Sequence, residues 1–265
     1  MIPQFTLPSN DKKHIEFSSP NIQMAIDYAD LVADMECEIA TGYLDKLNIS
    51  FDINDKNTSS ATWTAQDRIA ALLWVFYNTN EEPFFSTSYK CQCGETHHVE
   101  CDWGDLLEEF SQGNLNQTQE TRLTDSIVYK VTPFYGWAEQ HLEMMRLDLT
   151  EEQEKGILAD IKVMRVLLQI EFKGADNSTF ESRIENAVKM KSTLSLAEFK
   201  VLTEKVNEYN TLNPHGLNSI VSELGEVTLL TPPIDCANKE KEAGEVEPTR
   251  LRLHFRGNDY LPKVN

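Results

Sequence analysis

Apolar residues recur along this chain with two different periods, and the alternation between them lays out its elements. Residues 4–7 and 14–17 flank a polar, turn-rich stretch at 9–13, which predicts a small opening hairpin. Ser19 and Pro20 then offer an N-cap and a first-turn proline. Ile22, Ile26, Ala29, Met35, Ile39 and Tyr43 follow at near-helical spacing, predicting one long helix over 20–47. After a polar loop at 54–60, a second helix is predicted over 65–79. Ile69, Leu72, Leu73 and Phe76 share its face, and Trp74, Val75 and Tyr77 make it apolar nearly all round. A helix without a clean polar side belongs in the core or under a partner.

Pro83 ends that segment, and residues 84–90 and 97–103 read as two short strands joined through Cys91, Gln92, Cys93, Gly94, Glu95 and Thr96. Residues 105–110 read as a helical turn and the Gln/Asn-rich 111–121 as a connector. A boundary there would divide an N-terminal α+β region with a Cys-rich hairpin, 1–112, from a helical region with a C-terminal β-hairpin, 113–265, unless the two form one continuous domain. Beyond it a strand is predicted over 124–131 and helices over 137–147 and 150–172. The latter carries Ile157, Ile161, Met164 and Leu168 on one face and Glu151 and Glu152 in its first turn, where acids complement the macrodipole. A shorter helix fits 180–190, and Ser195 with Glu198 forms a capping box for another over 195–210. Residues 213–216 break the pattern, 226–230 and 250–255 read as paired strands, and the charged run 238–247 between them reads as a loop. The fold class is α+β, mainly α, with long helices packed against small antiparallel β-hairpins.

Charge changes the picture of what this surface can meet. With 43 acidic against 24 basic residues the formal net charge is -19, which repels phosphate backbones and anionic lipid, so neither nucleic acid nor a membrane is expected as a partner. The first residues have neither a basic segment nor a continuous apolar run, and no stretch of roughly 18 apolar residues occurs, so no export signal or spanning helix is expected. Five cysteines, three of them between 91 and 101, fit a reducing compartment better than a disulfide framework.

The sharpest chemical feature is Cys91-x-Cys93-Gly94-x-x-His97-His98-x-x-Cys101, because thiolates and imidazoles on a tight turn can converge on zinc. The glycine permits the left-handed residue such a knuckle needs. The candidate ligands are Cys91, Cys93, His98 and Cys101, with His97 also in reach and distant Cys236 as an alternative. The preferred reading is a metal-free hairpin whose cysteines are small buried apolar groups; the zinc, if bound, is structural. A thiol nucleophile at Cys91 or Cys93 lacks an identifiable orienting group and oxyanion donor, and acidic surroundings oppose it. There is no Gly-rich phosphate loop, no G-x-S-x-G elbow and no H-E-x-x-H, so no catalytic residue is assigned. Trp74, Phe84, Phe85, Phe134 and Tyr135 are candidate partner-binding residues, against the favoured alternative that such rings pack the core.

Five segments together, PQFTLPSNDKKHIEF (3–17), DRIAALLWVFYNTNEEPFF (67–85), CQCGETHHVECDWGDLL (91–107), NPHGLNSIVSELGEVTLLTPPIDC (213–236) and LRLHFRGNDYLP (251–262), resemble baseplate hub-assembly and tail-morphogenesis proteins of contractile-tailed bacteriophages. The resemblance implies a non-enzymatic role in building a baseplate or tail hub in the host cytoplasm, as a virion component or an assembly factor that leaves. The implied partners are baseplate or hub subunits; a homo-oligomer of the chain is an open alternative beside them. Where such proteins carry a paired-cysteine knuckle, this chain has only Cys236 near its end, a departure that bears on any zinc. A zinc- or thiol-dependent enzyme and an acidic module that sequesters a basic protein are the competing function classes.

Overall fold

Residues 1–29, 35–113, 115, 119–147, 154–236 and 247–263 are described by the computed structural model. The opening hairpin pairs β1 (Phe5–Thr6) with β2 (His14–Ile15), setting Phe5 opposite Ile15 with both side chains buried. The single helix expected over 20–47 is instead two, α1 (Ile22–Ala29) and α2 (Glu36–Leu47), because Met35 stands at the start of α2 with non-helical backbone, φ -113°. Residues 30–34 lie outside the described residues.

Helix α3 (Ala65–Thr79) matches its predicted span and opens on a capping box, in which Thr64 Oγ1 accepts from the Asp67 N–H and the Asp67 carboxylate accepts from the Thr64 N–H. Ala70, Ala71, Leu73 and Val75 are wholly buried, as a helix apolar on every side requires. The hairpin β3 (Phe84–Lys90) and β4 (Thr96–Asp102) pairs in register from Phe84 opposite Asp102 to Lys90 opposite Thr96, and runs directly into α4 (Trp103–Glu108).

The middle of the chain supplies β5 (Thr121–Arg122), β6 (Val128–Val131), α5 (Gly136–Leu147), α6 (Glu154–Leu167), β7 (Ile170–Phe172), α7 (Phe180–Thr193) and α8 (Leu196–Leu212). The helix expected over 150–172 stops at Leu167. Its last residues alternate instead, with Ile170 and Phe172 buried and Glu171 between them, and they extend the sheet to the order β5-β6-β7. The predicted C-terminal strands pair as β9 (Val227–Leu230) and β10 (Arg252–Phe255), with β8 (Ser219–Val221) added on the other side of β9. Most of the charged run at 238–247 lies outside the described residues. The described chain is an α+β fold, mainly α, with small antiparallel sheets.

Along the chain apolar packing passes from one core to the other between Phe110 and Leu123, and returns to the first between Tyr209 and Leu217. One core gathers Phe5, Tyr43, Leu44, Trp63, Leu72, Leu73 and Leu106, and it is completed by Leu217, Leu229 and Tyr260 returning from the C-terminal part. The other gathers Tyr129, Trp137, Ile161, Met164, Leu167 and Leu202 around α5 to α8. The two meet where the entries of α3 and α5 lie side by side: the Ala65 N–H donates to the Phe134 carbonyl, 2.9 Å, and the Gly136 N–H to the Trp63 carbonyl, 2.9 Å. Buried Arg68 crosses this junction, donating to Glu139 (2.7 Å), the Cys37 carbonyl (2.6 Å) and Thr41 Oγ1 (2.7 Å). A Cβ on Gly136 would sit 2.5 Å from Arg68 Cδ, so glycine is what lets the two elements approach.

Candidate metal centre

At the tip of the β3–β4 hairpin the chain must reverse between Lys90 and Thr96. The Cys91 N–H donates to the Glu95 carbonyl at 2.9 Å, and the Gly94 N–H donates to the Cys91 carbonyl at 3.0 Å. Gly94 takes φ +88°, and no atom lies within 4 Å of where its Cβ would be, so the backbone conformation rather than crowding demands glycine here.

This turn aims three donors inward, and a fourth arrives from far along the chain. The sulfurs of Cys91, Cys93 and Cys236 and a ring nitrogen of His97 all lie within 4.8 Å of one another. His97 Nε2 stands 3.4 Å from Cys93 Sγ and 3.6 Å from Cys236 Sγ. Cys91 and Cys236 are buried and the other two half-buried. Tyr89, directly opposite His97 in the ladder, lies beside its ring with centroids 5.7 Å apart. Cys236 is delivered by the backbone bridge between Ile234 and Thr249, two hydrogen bonds of 2.9 Å just before it. The Cys91 thiol is held below its ordinary pKa, chiefly by the Cys93 backbone N–H and against the opposing effect of burial. Tyr89 is raised, first by burial and then by the neighbouring thiols. Chemically, three thiols and one imidazole with converging donor atoms make a ligand set for a soft or borderline metal ion.

Two of the expected ligands are elsewhere. His98 is adjacent to His97 in β4, so its side chain points to the opposite, exposed face and pairs with Ser88. Cys101 shares the face of His97 but lies four residues along the strand, about 13 Å away at the rise of an extended chain. It sits opposite Phe85 and is buried at the base of the hairpin. Burial, then the nearby Asp105, pushes its thiol pKa up. His97 and Cys236 take the places of these two. Strand parity carried the signal for His97, since Tyr89, Cys91 and the residue facing Tyr89 share one side of the hairpin. The approach of Cys236 had no sequence signal beyond its being a cysteine.

The candidate partner-binding aromatics are mostly turned inward. Trp74 is half-buried, donates from Nε1 to the Pro3 carbonyl at 3.0 Å and packs on Phe5. Phe85 lies against Trp103 at 4.6 Å, Phe134 is buried with the Arg165 guanidinium over its ring, and Tyr135 stacks on Trp137. Phe84 alone of the five is exposed, at 45%.

No family model, curated protein or solved structure was found to match this chain.

Other polar constellations are occupied with holding the fold. Asp67, wholly buried, accepts from the Ser9 N–H (2.8 Å) and hydroxyl (2.5 Å) as well as from Thr64. His215 Nδ1 lies 2.9 Å from the Asn213 carbonyl, which can only accept, so this nitrogen carries the proton. His215 Nε2 lies 2.9 Å from the Thr64 hydroxyl, a hydrogen bond that ties the 213–216 break to the start of α3. Glu143 caps α2 from outside, accepting the N–H groups of Cys37 (2.8 Å) and Glu38 (3.1 Å). Two clefts of about 570 and 910 Å³ run between the cores and share Ile69, Glu139, Arg165 and Val227 in their walls. Among the described residues no helix is long and apolar enough to cross a membrane.

Proposed function

We propose that this chain is a non-enzymatic structural or assembly protein that acts through protein–protein contacts, and that its setting is the baseplate or tail hub of a contractile-tailed phage, built in the host cytoplasm. One observation carries the non-enzymatic part: among the described residues, Asp67, Arg68, Glu143 and His215 are each engaged in hydrogen bonds that hold the fold. Asp67 is taken up by Ser9 and Thr64, Arg68 by Glu139, Cys37 and Thr41, Glu143 by the start of α2, and His215 by Thr64 and Asn213. An ion held by all four donors of the hairpin cluster would have no open position, which is the arrangement of structural sites.

The setting rests on the five sequence segments that resemble hub-assembly and tail-morphogenesis proteins. The charge of -19 supports work among protein subunits, because it disfavours capture by nucleic acid. The test is deletion of this coding sequence from a contractile-tailed phage that carries it, with the particles examined by electron microscopy. Filled heads without baseplates are expected; tails of normal length ending in complete baseplates would sink the reading.

A further inference from the structure

We propose that Cys91, Cys93, His97 and Cys236 bind one Zn²⁺ in a closed tetrahedral site that staples the tip of the β3–β4 hairpin to the segment following β9. This goes beyond the assembly reading and does not depend on it.

The first argument is metric. Zinc–sulfur and zinc–imidazole bonds of about 2.3 and 2.0–2.1 Å at tetrahedral angles put a ligand sulfur about 3.5 Å from a ligand nitrogen. Two of the three sulfur–nitrogen separations of the cluster, those from His97 Nε2 to Cys93 and Cys236, are 3.4 and 3.6 Å, and all four donor atoms fall within 4.8 Å of one another. Hydrogen bonding alone does not require four such groups to share a corner of the fold.

The second argument is the local framework. Two cysteines on a turn whose glycine has φ +88° point the same way, and the turn is braced by the Cys91–Glu95 and Gly94–Cys91 backbone hydrogen bonds. The Tyr89 ring packs beside the His97 ring at 5.7 Å, and Nε2 is the His97 nitrogen that faces Cys93. Three sulfurs and one nitrogen are soft to borderline ligands in the geometry zinc prefers, whereas calcium and magnesium require oxygen. Binding needs no redox partner: each thiol bound as thiolate releases its proton to solvent, and the imidazole binds neutral through Nε2.

The third argument is what the ion would accomplish. The β3–β4 pair is a two-stranded sheet, and such hairpins are marginal by themselves. Its base is held by Phe85 against Trp103, and Trp103 in turn packs on Phe76 and Tyr260. Its tip, by contrast, meets the rest of the described chain through Cys236 in the cluster. An ion there would tie positions 139 residues apart, across the two parts of the sequence.

The experiment uses the full chain, purified under reducing conditions without a metal-binding tag, with its metals measured by elemental mass spectrometry. One zinc per chain is expected. Cobalt substitution is expected to give the intense visible bands of a tetrahedral thiolate site. H97A and C236S are expected to lose the zinc, and H98A and C101S, checked for native circular dichroism, to keep it. If C236S does not fold, alkylation of the unaltered chain replaces it: Cys91, Cys93 and Cys236 should react only after chelation. A chain that stays metal-free when offered zinc alone, zinc retained by both H97A and C236S, or a disulfide between any two of the three thiols would overturn the proposal.

Discussion

Arg68 shows how much of this fold hangs on single polar residues. Its guanidinium is buried at 3% exposure, yet it reaches Glu139 on α5 and the Cys37 carbonyl and Thr41 hydroxyl on α2. Truncating one partner of such a pair leaves an uncompensated charge. Glu139→Leu is therefore expected to cost about 3–5 kcal/mol by urea denaturation, and Arg68→Met added to it should recover part of the loss. His141, half-buried on α5, gives a pH dependence whose sign follows from its environment. Burial lowers its pKa, so the unfolded chain binds the proton more readily than the folded one. Stability from this group is intact above its ordinary value and falls as pH drops through it. Denaturation midpoints between about pH 7.5 and 5.5 should fall more steeply in the unaltered chain than in His141→Gln. Parallel curves would remove His141 as the cause. At this scale the sequence was informative wherever strand parity applied and silent wherever contact was remote. Cys91 and Cys93 were legible as members of the cluster that the hairpin turn brings together. His97 and His98 differ only in which face of β4 they occupy, and Glu143 as the cap of α2 lies 106 positions from Cys37.

Elements with a strong local signature came out where expected. The apolar run and capping box define α3, the polar turn defines β3 and β4, and Ser195 with Glu198 opens α8. Those whose identity depends on neighbours did not. Ile170–Phe172 continues the apolar face of α6 on paper but finds a strand partner in β6, and backbone pairing outweighs periodicity over so short a stretch. The hairpin makes the energetic weight of a single backbone angle measurable. Gly94→Ala meets no steric obstacle, so its whole effect is the left-handed backbone, about 1–2 kcal/mol, seen as a lower melting temperature. The same change at Gly113, which also has open space and no positive φ, should be near neutral and serves as its control.

At the scale of the whole molecule, the C-terminal part completes a core begun by the N-terminal part. Leu217, Val227, Leu229, Tyr260 and Leu261 are all buried in it. Each such side chain contributes roughly 1.5–3 kcal/mol on burial, and their sum is comparable with the ~5–15 kcal/mol of a whole domain. A chain ending at Leu212 is therefore expected to lose the folded state of the first core, with rapid proteolysis within α2 and α3, while α6 to α8 stay protected. Protection throughout would mean that the two cores are independent of the returning strands.

The amino-acid sequence by itself determined the fold class, the central helix α3, the Cys-rich hairpin and a net charge of -19, because each follows from local periodicity, turn chemistry or summed charge. Only the tertiary structure decided that residues 217–261 return to the first core, that α5 caps α2, and that Cys236 rather than Cys101 stands beside His97. These are contacts between positions far apart in the chain, and their physical basis is which surfaces bury each other, a property that no window of sequence contains.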